Sequence, residues 1–156
     1  MSALTLQNGL REKDLHDSLL RHARDAAGRC IATLGAPLSA ENLKRFLAEP
    51  DCMKWPVTLV FDDASLESHQ FAQPVFVGFG GRRRCELHVH PHYANRPECL
   101  VFIVAYMAGA INYGPVVTIE LCEHYGAALM ALSQNAFYTA VCKVADQLPL
   151  DLVLPK

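Results

Sequence analysis

The stretch that most constrains this chain runs from Cys99 to Ile111, CLVFIVAYMAGAI, and no charged residue follows it until Glu120. A segment that is apolar all round must be buried on every side or lie in lipid. Gly114-Pro115 interrupts it short of the ~20 residues that a membrane span requires, so it reads as the central core element. Helix and buried strand compete for it, because Val101, Phe102, Ile103 and Val104 suit either. Its length and its small residues Ala105, Ala108, Gly109 and Ala110 favour a helix that another backbone approaches closely. Asn95-Arg96-Pro97-Glu98 supplies a helix start, with proline in the first turn and a carboxylate behind it.

One such core suits a chain of 156 residues read as a single α+β domain over 1–150, with Asp151 to Lys156 as an extended tail. Lys and Arg number 14 against 16 Asp and Glu, a balance that removes the electrostatic case for a nucleic-acid partner, and 51% hydrophobic residues exclude disorder. No membrane partner is expected either. The first residues, MSALTLQNGLREKD, show no basic segment followed by an apolar run, which points to a cytoplasmic protein. The six cysteines include no C-x-x-C pair, and four sit in apolar or periodic segments, so they read as small buried thiols.

Ahead of the core element, Leu15, Leu19, Ala23, Ala26 and Cys30 mark the inner face of an amphipathic helix over Arg11–Ile31. Gly35 and Pro37 end it, and Ser39 caps a second helix whose buried face is Leu43, Phe46 and Leu47. Three β-rich runs follow at Val57–Phe61, Gln73–Phe79 and Arg84–His90. A three-residue loop, Gly80-Gly81-Arg82, would pair Val77 with Cys85 and Val75 with Leu87, keeping one face apolar. Cys85, Leu87 and Val89 then face the core, and Arg84, Glu86, His88 and His90 share the other side. After the core element, Thr118 and Ser133 cap two further helices with inner stripes Leu121, Tyr125, Leu129 and Phe137, Val141, Val144. The expected fold is α+β: a three-stranded antiparallel meander flanked by two N-terminal and three C-terminal helices.

Glu86, His88 and His90 alternate along one strand, and residues two apart on a strand point the same way. Two imidazoles and a carboxylate so placed suit zinc or another divalent transition metal. Glu120 and His124 lie one helical turn apart and are the candidates to complete the shell, with His92 as the substitute; the metal set is therefore Glu86, His88, His90 and His124. A metal held there with one open position would activate water, as hydrolases do. Arg82-Arg83-Arg84 beside two glycines offers a phosphate grip, against the plainer reading of a solvated hairpin tip. The chain has no G-x-S-x-G elbow, phosphate loop or dinucleotide fingerprint. Two functions follow: a binding or assembly protein, homodimeric because its apolar content exceeds one domain's interior and open to another protein partner, or a metal-dependent enzyme on the strand histidines.

Overall fold

The computed structural model describes residues 3–149, with side chains described from Arg11 onward. The tail expected at Asp151 to Lys156 lies outside the described residues. Helix α1 (Ala3–Leu34) and the short α2 (Leu43–Ala48) precede strands β1 (Val57–Phe61), β2 (Ala72–Val77) and β3 (Arg84–Val89). Helices α3 (Pro97–Tyr113), α4 (Ile119–Leu129) and α5 (Gln134–Asp146) follow.

The apolar segment is helix α3, and it is the hub: it packs against α4, α5 and β2. Gly114-Pro115 does not cut it short as expected: among the described residues Pro97–Val116 is the one stretch long and apolar enough to cross a bilayer, and half of it is buried within the fold. Small residues set how closely its neighbours approach. A Cβ on Gly109 would stand 3.1 Å from Cys122 on α4, and a Cβ on Gly126 of α4 would run into the ring of Phe137 on α5. The polar ends are satisfied locally: Thr118 Oγ1 accepts the N–H of Leu121 at 3.0 Å, and Ser133 Oγ accepts that of Ala136 at 3.1 Å. Helix α2 begins later than a cap at Ser39 would place it. Asn42 occupies its N-cap and instead folds the approach, accepting from Ser39 N at 2.8 Å and donating to Pro37 O at 2.9 Å.

The sheet departs from the expected meander. Its order is β1-β3-β2, with β1 parallel and β2 antiparallel to the central β3, so the architecture is α+β with a mixed sheet. Two features of the chain account for this. Pro74 sits inside β2 and has no N–H to donate, which confines β2 to an edge, whereas a meander would have put it in the centre. Meanwhile β3 carries Cys85, Leu87 and Val89, none of which exposes any surface, and the central place best covers such a strand. The connection 62–71 is long enough to carry the chain across the gap that β3 fills.

The hairpin register also differs by one residue. Val77 lies opposite Arg84 and Val75 opposite Glu86, while Ala72, Pro74 and Phe76 face Val89, Leu87 and Cys85. The reason is the turn, which is no three-residue loop but the whole segment 78–83, folded through a 3-10 turn at Gly80–Arg82. Cys85, Leu87 and Val89 do face the core; the valines expected beside them are on the other side of the sheet.

Not every cysteine is a thiol. Cys30 of α1 and Cys52 ahead of β1 are joined in a disulfide with Cα atoms 4.9 Å apart, a pairing that no spacing motif announces across 22 residues. Cys85, Cys99 and Cys122 are buried thiols. Burial raises the pKa of Cys85 and of Cys122 to about 11.

Candidate functional site

Glu86 and His88 meet on the second face of β3, the one turned away from Cys85, Leu87 and Val89, where both are half-buried. His88 Nε2 lies 3.2 Å from Glu86 Oε1, and its Nδ1 lies 3.2 Å from the hydroxyl of Ser65, which arrives on the connection 62–71. A carboxylate only accepts, so in the neutral imidazole Nε2 carries the proton toward Glu86 and Nδ1 accepts from Ser65. The string sets a basic nitrogen against a serine hydroxyl, the first half of nucleophile activation. Ser65 itself is exposed, and water competes for it.

His90 does not join this pair. Its Nδ1 accepts the N–H of His92 at 3.1 Å and its Nε2 stands 3.7 Å from Asp63. His92 packs edge-on against Tyr93, with ring centroids 5.1 Å apart, and desolvation followed by the charges of Arg96 and His90 holds its pKa below the ordinary histidine value. His124 belongs to another layer. It lies 3.6 Å from Glu120 on α4, and Glu120 also takes His16 Nε2 of α1 at 2.8 Å. Helix α4 packs on α1, α3 and α5, so the helical layer separates this cluster from the open sheet face. The structure thus brings Glu86 and His88 together, leaves His90 beside Asp63, and keeps His124 apart. Among the described residues no group of three or more His, Cys, Asp and Glu side chains is placed to hold a metal ion.

A different feature of the sheet stands out, the outer edge of β1. Cys85 N bonds Pro56 O at 2.9 Å and Asp62 N bonds Val89 O at 3.1 Å, which fixes the phase of the β1–β3 ladder. The even-numbered residues of β1 therefore bond β3, and Val57, Leu59 and Phe61 direct their N–H and C=O groups to the free edge. This edge, VTLVF, has no charge and no proline. Beside it runs a groove of about 470 Å³ whose far wall is α2, with Ala40, Leu43 and Leu47 opposite Val57 and Leu59, and with Lys44 as its single charge. The opposite edge, β2, is interrupted by Pro74. A bare, uncharged edge is what folded proteins ordinarily blunt, and here only one of the two is blunted. The sequence signal was present in the pair of strands: an uncharged VTLVF against a run containing proline.

No family model, curated protein or solved structure matches the chain.

Proposed function

We propose that this chain is a binding and assembly protein whose working surface is the free edge of β1, and that its partner is a second copy of itself. The observation that carries this reading is the unpaired β1 edge flanked by the apolar α2 groove, on a sheet whose other edge is closed by Pro74. Antiparallel pairing about a twofold axis at Leu59 sets Leu59 against Leu59 of the second copy and Val57 against Phe61. All three direct their free backbone groups outward, so both strands' donors and acceptors are satisfied at once. Phe61, 38% exposed, gains cover. With charge near balance, protein rather than nucleic acid or membrane is the partner of choice.

Light scattering at micromolar concentration tests this: the expected mass is twice the 17.2 kDa of one chain, and Leu59→Pro or Phe61→Lys returns the monomer. The N–H that proline at 59 removes faces away from β3, giving β1 the block that β2 already has, and Phe61→Lys keeps the Leu59 side chain that packs on the core. A wild-type monomer at that concentration removes the reading.

The metal-dependent enzyme reading, on Glu86, His88 and His90, retains one supporting observation: Glu86 and His88 are neighbours on the face of β3 turned away from the core. A metal between them would have to replace the hydrogen bond that they make to each other.

A further inference from the structure

We propose that the cleft between the base of the β2–β3 hairpin and the C-terminal end of α3 binds a small organic anion, a carboxylate or phosphate monoester carried on a compact apolar body. The cleft has a volume of about 530 Å³, within the range of roughly 300–1,000 Å³ typical of small-molecule sites. Trp55, Pro74 and Phe76 form one wall and Tyr113 and Val117 part of the other, so the body of a ligand meets apolar surface.

The charged lining is one-sided. Lys54 and Arg83 are the charged residues on the cleft, and no carboxylate lines it. The Arg83 guanidinium lies 4.6 Å from the ring centre of Phe76 and 5.2 Å from that of Trp55, while Lys54 Nζ lies 5.4 Å from Trp55. Stacking on aromatic faces holds both cations in place without consuming their N–H donors. Among the described residues neither side chain has an ion-pair or hydrogen-bond partner. Their polar neighbours are already engaged: Asn112 bonds Lys54 N, Cys52 O and the Tyr125 hydroxyl, and the Tyr113 hydroxyl meets His22 Nδ1 at 2.6 Å. What remains is a pair of exposed, uncompensated cations over an apolar wall, in a chain whose formal net charge is -2. A ligand with one anionic end and one apolar end complements both features.

The turn that presents Arg83 is itself built for this path. Gly78 has a φ of +85°, and a Cβ there would come 2.6 Å from the carbonyl oxygen of Arg82, so only glycine closes the hairpin this way and returns Arg83 over the cleft.

Trp55 is the sole tryptophan, and its fluorescence reports on this cleft alone. The full-length chain is titrated with benzoate, phenyl phosphate, inorganic phosphate and benzyl alcohol, exciting only tryptophan. A saturating change with benzoate or phenyl phosphate is expected, and the tighter of the two identifies carboxylate or phosphate ester as the anion. Inorganic phosphate, lacking the body, and benzyl alcohol, lacking the charge, should bind at least about tenfold more weakly. Arg83→Ala should weaken the better ligand by about tenfold or more, Arg83→Lys by less, and Lys54→Ala in the same direction, while Arg82→Ala, off the cleft, changes it less than about twofold. No saturation by either ring-bearing anion overturns the proposal. So does benzyl alcohol binding as tightly as they do, or unchanged affinity in both Arg83→Ala and Lys54→Ala.

Discussion

The two faces of β3 are made from alternate residues of one six-residue strand, yet they differ in everything that follows from cover. On one, Cys85, Leu87 and Val89 are completely buried in the core cluster. On the other, the side chains of Glu86 and His88 keep 33% and 17% of their surface, and Ser65 of the connection 62–71 reaches His88. The comparison teaches that alternation decides which residues part company, while the layer above decides what each set can do. Packing makes the first face rigid. The second has a half-buried bond between Glu86 and His88 and another to the exposed Ser65, which contribute less to stability than core packing does.

Removing volume from the covered face should have the largest effect. Leu87→Ala empties a fully buried site and should cost about 3 kcal/mol in urea unfolding, whereas His88→Ala should cost no more than about 1 kcal/mol. Equal losses from the two would mean that the open face carries as much of the fold as the core does.

The covered face should also respond to alkali in a way that the open face does not. Burial raises Cys85, and Cys122 on α4, to about 11 from an ordinary thiol value near 9.0. Tyr93, whose hydroxyl donates to Val144 O at 2.6 Å, is likewise raised to about 12. In each case the unfolded chain loses the proton first, so the stabilisation is complete below pH 9 and is lost as pH rises toward the folded value. Stability should therefore fall between pH 9 and 11, on the order of 2 kcal/mol for each thiol. Cys85→Ala should flatten part of that fall when urea midpoints are compared at pH 8 and pH 10.5. A wild-type curve as flat as the variant's would show that Cys85 is reached by solvent.

How much of this was legible in the chain depended on how local the deciding chemistry was. Helix α3 and the caps at Thr118 and Ser133 could be read because a helix is specified by residues within a few positions of one another. The core side of β3 could be read for the same reason, since alternation is local. Sheet order is not local, and of the two features that account for it only Pro74, whose missing N–H bars β2 from the centre, is visible at a single position of the chain. Register differs from the expected one by a single residue because Ala72, Pro74 and Phe76, and not the valines between them, share the face of Cys85, Leu87 and Val89, a pairing that the segment 78–83 with its 3-10 turn closes. Ser65 as a partner of His88, Arg83 over Trp55 and the Cys30–Cys52 bond all join residues 22 or more positions apart, and no periodicity reports such meetings.

The smallest expected effect tests whether the open face is a site at all. Glu86 and His88 satisfy each other, and His90 is held between Asp63 and the N–H of His92, so each imidazole has a protein partner without any ion. A metal there would need two or more of these groups to turn toward one point, and its loss would then be felt in both stability and composition. Without one, replacing both rings removes only partly exposed hydrogen bonds, on the order of 1 kcal/mol in total. The double variant His88→Ala, His90→Ala is therefore expected to keep its melting temperature within a few degrees, and to match the wild type in zinc, iron and manganese when both are purified without a histidine tag. A metal equivalent present in the wild type and missing from the variant would reverse the comparison, making the exposed face of β3 the functional one and the covered face its support.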